Sequence, residues 1–174
     1  MIVAEMRGSQ GGAATVYGTG ESGSVDRRFR SANRVYPSPA TVEFVRQRLL
    51  ECRPEIEKHF RLSLGECEEP QFLCYGEGDF FVAHQDGNTG LLKLNSDRDR
   101  RVSVVIFLNR QSEEVEPCAY RGGSLVFSTY RGGQAERLGL SGETGTLVAF
   151  RAETTHEVTT VTGGERFTIA CWYK

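Results

Sequence analysis

The chain has 174 residues, 39% of them hydrophobic and 25% charged, and Lys+Arg 21 against Asp+Glu 23 leaves a net charge of −2. That composition suits one domain with a sizeable core and excludes a chain dominated by disorder. The near balance of charge gives no general pull toward nucleic acid or an anionic membrane, and no apolar run approaches the length of a spanning helix.

The opening residues, MIVAEMRGSQGG, carry neither a basic-then-apolar leader nor an amphipathic Arg/Ser pattern, so no targeting segment is expected. Residues 8–24 are rich in Gly, Ser and Thr and read as irregular, with one short strand candidate at Ala14–Tyr17. Arg27, Arg28 and Arg30 form a charge cluster that reads as a solvated face, with an acidic partner as the alternative. A helix is expected from Pro39: Ser38 can cap it, Pro39 suits its first turn, and Val42, Val45, Leu49 and Leu50 recur at helical spacing. Pro54 is expected to break or restart it, with a further turn or two through Glu55–Phe60. His59 reads as a surface residue.

From Gln71 the pattern turns to short β-type runs: Gln71–Tyr75, Phe80–Asp86, Arg101–Leu108, Ser124–Ser128, Arg137–Leu140, Thr146–Phe150, His156–Val161 and Arg166–Tyr173. Strands of this kind behind a helical N-terminal segment predict a mainly β fold with N-terminal helices, a helix-flanked sandwich or jelly roll. The organisation expected is a single domain over 1–174, with 1–69 as loop and helical support and 70–174 as the β core. Residues 87–100 read as a loop, and Gly122-Gly123 as a tight turn entering a strand. The cysteines Cys52, Cys67, Cys74, Cys118 and Cys171 are odd in number and scattered, without a C-x-x-C pair. They read as free thiols in a reducing compartment, and the expected location is cytoplasmic.

Two of the three histidines stand in distinctive places. His84 and Asp86 are two apart on an expected strand, so both side chains leave the same face. An imidazole and a carboxylate so placed can supply two metal ligands, and His156, opening a late strand, can supply a third. Two His and one carboxylate leave coordination positions open, the donor set of non-haem Fe(II) oxygenases. A hydrogen-bonded surface couple is the competing reading of the His84/Asp86 pair. Arg166 sharpens the choice. It opens a strand that is apolar on both faces, and a guanidinium in such an interior is costly unless paired. A bound dicarboxylate would supply the partner, with the Thr168 hydroxyl alongside. The alternative is a structural pair with Glu165 or Glu157.

Taken together, these motifs resemble a known family. Tyr75-Gly76-Glu77-Gly78, His84-x-Asp86, Tyr120-Arg121-Gly122-Gly123-Ser124-Leu125, Gly145-Thr146-Leu147-Val148-Ala149-Phe150, His156-Glu157-Val158 and Arg166-x-Thr168…Trp172-Tyr173 are similar to the 2-oxoglutarate/Fe(II) dioxygenases, and within them to the prolyl hydroxylase branch. The resemblance covers residues 70–174 firmly and the preceding helical segment loosely. It implies a double-stranded β-helix (a cupin-like jelly roll) with Fe(II) held by His84, Asp86 and His156. It implies Arg166 gripping the distal carboxylate of 2-oxoglutarate, Thr168 beside it, and Tyr75 lining the pocket. Two departures stand out. Phe107 occupies a position where oxygen-sensing members carry a tyrosine at the distal carboxylate, with Thr168 as a replacement hydroxyl. The chain also starts partway into the N-terminal helix that relatives carry, as a minimal or trimmed member would.

The activity so implied is O2-dependent hydroxylation of an unactivated C–H bond, with release of succinate and CO2 and with ascorbate as a candidate reductant. Asp86, as a carboxylate in the ligand set, favours hydroxylation over halogenation. The implied substrate is a prolyl residue of a peptide or protein, with a free amino acid or other small molecule as the alternative; nucleic acid and membrane partners are not expected. A non-catalytic metal-binding jelly-roll module is the reading from another class, and a cupin-type dioxygenase working without a keto acid is a third. Trp172, on the face of Arg166, is a candidate pocket wall or a core residue. Residues 87–100 correspond to a loop that covers the substrate in related hydroxylases.

Overall fold

A computed structural model describes residues 1–15, 25–87, 99–114, 116–131 and 134–174. The expected loop at 87–100 and the strand candidate at Ala14–Tyr17 lie largely outside the described residues.

Two helices support the sheets: α1 (Ile2–Gly8), at the start of the chain, and α2 (Pro39–Phe60). Ser38 caps α2 by accepting from the Thr41 backbone N–H, Pro39 lies in its first turn, and Arg61 ends it in the left-handed conformation. The expected break at Pro54 does not occur, since α2 runs through it. Proline cannot donate to the Leu50 carbonyl, but Leu50 is 44% exposed and Pro54 lies on the same wet side, where solvent can donate to the freed carbonyl. On the buried side the Tyr173 hydroxyl donates to the Leu49 carbonyl at 2.7 Å, anchoring that turn to the sheet.

The larger sheet has six strands in the order β1 (Gly11–Ala13), β3 (Asn33–Val35), β4 (Gln71–Tyr75), β13 (Arg166–Tyr173), β6 (Val102–Phe107) and β10 (Leu147–Arg151). The smaller has five, in the order β2 (Arg30–Ser31), β5 (Phe80–His84), β11 (His156–Val158), β8 (Leu125–Arg131) and β9 (Gln134–Leu140). A third ladder joins β7 (Tyr120–Gly122) to β12 (Val161–Gly164). All these ladders are antiparallel. Antiparallel sheets closed on each other by apolar side chains make the jelly roll that the strand pattern predicts. The expected run His156–Val161 is split into β11 and β12. Between β7 and β8, Gly122 and Gly123 adopt φ of 65° and 61°, the tight turn that only glycine enters without strain.

The strand β13 shows how the layers are specified. Phe167, Ile169, Cys171 and Tyr173 face α2, where they join Val45, Leu49, Ile56 and Phe72 in the main core. Ala170 and Trp172 point the other way and close a second cluster with Leu73 and Tyr75 of the neighbouring β4 and Val158 of the facing sheet. Every residue of β13 is buried, as the two apolar faces predict.

The expectation of five free thiols is corrected. Cys67 and Cys171 form a disulfide across 104 residues, while Cys52, Cys74 and Cys118 are free. Sequence spacing conceals the pair because a bridge between Cys67 and Tyr173 brings distant segments side by side. No helix among the described residues is long and apolar enough to cross a membrane.

Candidate active site

The β5/β11 ladder sets His84 directly opposite His156. Cross-strand partners in an antiparallel pair face the same side. Asp86, two residues beyond His84, leaves that side as well. One ligand atom from each of His84, Asp86 and His156 lies within 4.8 Å of the others. The competing reading, a surface couple, fails on burial, since their side chains are 19%, 11% and 6% exposed.

Hydrogen bonds fix what these groups present. His84 Nδ1 lies 2.8 Å from the Val82 carbonyl and His156 Nδ1 lies 2.9 Å from the Thr154 carbonyl. A carbonyl only accepts, so each Nδ1 carries a proton and each ring turns its Nε2 inward. Those nitrogens stand 3.5 and 3.4 Å from the two oxygens of Asp86. Ser103 holds the carboxylate by donating to Oδ2 at 2.7 Å. Burial lowers the pKa of His156 and keeps it neutral. Burial also opposes the charge on Asp86, but the two histidines and the Ser103 hydroxyl outweigh it and hold its carboxyl well below the usual carboxylate range. Two imidazole nitrogens and a carboxylate thus converge, a donor set that fits a divalent cation, which would displace any proton held between them.

The same cavity, of about 420 Å³, contains Arg166 and Thr168 at β13. Arg166 is 1% exposed, and neither expected carboxylate pairs with it: Glu165 is bound to Arg7 and Glu157 to Arg137. Its guanidinium stacks over Tyr75 at 5.1 Å and Phe107 at 5.3 Å and donates to Thr168 Oγ1 at 3.1 Å, while Nε has no partner among the described residues. A buried cation with an unmet donor fits an anionic ligand. Thr168, having accepted from Arg166, keeps its own O–H to donate.

The cavity wall is also ordered by residues outside the expected set. Asn109 accepts from the Phe167 N–H at 2.8 Å and donates to the Glu165 carbonyl at 2.8 Å, clamping the backbone on both sides of Arg166. Trp172 lines the cavity, and the Arg100 guanidinium lies 4.0 Å from its ring while binding Glu68 through Nε and Nη2. Phe81 stacks on the His84 ring at 3.6 Å. Arg30, expected on a wet face, is instead 8% exposed in the cavity wall, with its guanidinium 4.7 Å from the Phe81 ring. Its partner in that cluster, Arg28, stays exposed and pairs with Asp26. His59 is exposed, as expected. No sequence period marks Asn109 or Tyr120: Asn109 sits past a strand end and Tyr120 opens a three-residue strand.

Comparison with known proteins points the same way. Residues 70–174 match the family model of the 2OG-Fe(II) oxygenase superfamily. The chain is 29% identical over 161 residues to a PKHD-type hydroxylase of Hyphomonas neptunium, covering 89% of this chain and 65% of that protein. It is 35% identical over 104 residues to a PKHD-type hydroxylase of Burkholderia thailandensis, covering 59% of this chain and 41% of that one. The chain thus spans less than two thirds of the length of either relative. Among solved structures, a Pseudomonas putida prolyl-4-hydroxylase superposes with a TM-score of 0.63 at 25% identity, over 85% of this chain and 74% of that one. A prolyl hydroxylase of Trichoplax adhaerens, in complex with a hypoxia inducible factor peptide fragment, has the same fold, with a TM-score of 0.60 at 19% identity over 91% and 70% of the two chains.

Proposed function

Since the chain belongs to the 2OG-Fe(II) oxygenase superfamily, we propose that it is a 2-oxoglutarate- and O2-dependent hydroxylase of an unactivated C–H bond, acting on a prolyl residue of a peptide or protein. The observation that carries this reading is one cavity holding both an inward-facing His84–Asp86–His156 cluster and a buried guanidinium without a carboxylate partner among the described residues. The prolyl preference is supported by the likeness to the Pseudomonas putida prolyl-4-hydroxylase. A peptide substrate is supported by the peptide bound to the Trichoplax enzyme. We read residues 1–174 as one domain, with the N-terminal helices as its support.

In this reading His84, Asp86 and His156 would hold Fe(II), and Arg166 with Thr168 would take the distal carboxylate of 2-oxoglutarate. When bound, iron and 2-oxoglutarate supply O2 activation coupled to release of succinate and CO2. The chain's own part is positional. The Val82 and Thr154 carbonyls accept from the two Nδ1 atoms and so keep both Nε2 atoms aimed inward, and Ser103 keeps the carboxylate turned toward them. Tyr75 and Trp172 give the cavity apolar walls, and Phe107 packs against the guanidinium; together they strengthen charge pairing at Arg166 by excluding water.

The test is an anaerobic titration of the apoprotein with Fe(II) and 2-oxoglutarate, followed by oxygen and candidate prolyl peptides. The expected result is a visible charge-transfer band, then succinate formation and a gain of one oxygen on peptide, all lost in His84→Ala. A wild-type protein that shows no band and forms no succinate overturns the proposal.

A further inference from the structure

The cavity is lined by a second buried guanidinium, to which the hydroxylase reading gives no role. Arg30 is 8% exposed and reaches the cavity from β2, the edge strand of the smaller sheet, whereas Arg166 lies inside the larger one. The β2/β5 register sets Arg30 directly opposite Phe81, so both side chains leave the same face, and the guanidinium lies 4.7 Å from the Phe81 ring. Nη1 donates to the Thr15 carbonyl at 2.9 Å. Nε is buried with no partner, and no carboxylate among the described residues pairs with this side chain. Asp26, in the same wall, has both oxygens engaged by Arg28.

A buried cation is costly until an anion meets it, and a buried donor with nothing to bind is uncommon. The tie to Thr15 accounts for one nitrogen only. 2-Oxoglutarate has a single distal carboxylate, which the reading above gives to Arg166, so the anion for Arg30 must come from elsewhere. Phe81 sets the scale. Its ring stacks on His84 at 3.6 Å, so the Arg30 charge stands no more than about 8 Å from that imidazole, roughly the span of two extended residues. Phe29, adjacent in sequence, lines the same cavity while 52% exposed, so this wall runs out to the surface where a chain can enter. Resting on the hydroxylase reading, we propose that Arg30 binds a carboxylate of the substrate and selects peptides that carry one within two residues of the hydroxylated prolyl. An acidic side chain and a free C-terminus both supply that chemistry. The planar fork of Arg30, held flat by Phe81, suits the two oxygens of either.

Peptide binding to the protein loaded with Mn(II) and 2-oxoglutarate, measured by calorimetry, tests this without turnover. The probes are short end-capped peptides with one central proline among alanines, carrying glutamate or glutamine at one of the two positions on either side. A further pair ends in proline, with the terminus free or amidated, which separates a chain end from a side chain as the source of the carboxylate. In the wild type at least one charged probe binds on the order of tenfold more tightly than its neutral counterpart, the worth of one charge-assisted hydrogen bond. That preference disappears in Arg30→Gln and survives in part in Arg30→Lys, which keeps the charge and loses the fork. The wild-type comparison needs no variant, so it decides the matter even if Arg30→Gln does not fold. Indifference of the wild type to the carboxylate overturns the proposal, as does a preference that persists in Arg30→Gln. Weaker binding of 2-oxoglutarate in Arg30→Gln also overturns it, by making Arg30 part of the cosubstrate site. If alanine replaces the central proline without loss of the charged preference, the prolyl assignment falls and Arg30 stands; if prolyl peptides are oxidised regardless of charge, only Arg30 is wrong.

Discussion

The two faces of β13 are equally buried and chemically opposite. Toward α2, Phe167, Ile169, Cys171 and Tyr173 meet partners that satisfy them completely: apolar side chains for three, and a helix carbonyl for the Tyr173 hydroxyl. Toward the cavity, Arg166 and Thr168 are as deeply enclosed, but Arg166 keeps an Nε with no partner among the described residues. Burial alone therefore does not distinguish a core from a site. The distinction lies in whether enclosed polar groups find partners within the chain, and a face left unsatisfied is one the fold has reserved for something else.

The sharpest way to break this contrast is on the helix side. Phe167→Ala removes a ring that is 1% exposed in the main core and costs about 3–5 kcal/mol of unfolding free energy in urea. Below its lowered melting temperature, the variant still binds 2-oxoglutarate. If the stability loss is small, the helix-side face is not the structural one.

On the cavity side the opposite outcome is expected. Arg166→Leu weakens 2-oxoglutarate binding on the order of a hundredfold, yet leaves the ligand-free protein as stable as wild type or more so, since a buried unpaired charge is exchanged for an apolar group. A ligand-free variant that melts well below wild type would mean that Arg166 is a structural residue after all.

The smallest effect is that of pH on the ligand-free protein. Burial depresses the pKa of His156, so between that value and the ordinary histidine value of about 6.5 the unfolded chain binds more protons than the folded one. Stability is fully present above pH 6.5 and declines as the pH falls below it. Urea midpoints of metal-free protein at pH 7.5 and 5.5 check the sign, and His156→Gln flattens this part of the dependence. A midpoint that rises on acidification contradicts the neutral, inward-facing imidazole.

Much of this was readable in the residues themselves. The bounds of β4 and β13 coincide with the expected runs because both strands alternate two apolar faces over their whole length. His84 and Asp86 could be placed on one side from strand spacing alone. The unread parts have physical causes. The strands β1, β2, β3 and β7 are two or three residues long, too short to show a period, and their pairing comes from long-range contacts. Pro54 was taken for a break because sequence does not say which side of a helix is wet. Cys67 and Cys171 pair only because the fold brings residues 104 apart into register, and Asn109 acts through backbone groups that no side-chain pattern reveals.

The placement of His84 opposite His156 has a mechanical consequence. The two imidazoles belong to neighbouring strands of the smaller sheet, whose ladder is interrupted by a bulge immediately after His156. An ion clasped by both would rivet β5 to β11 at the spot where backbone pairing is weakest. Amide protons of those two strands would then exchange with solvent more slowly on loading, while those of β13, already sealed between two layers, would scarcely change.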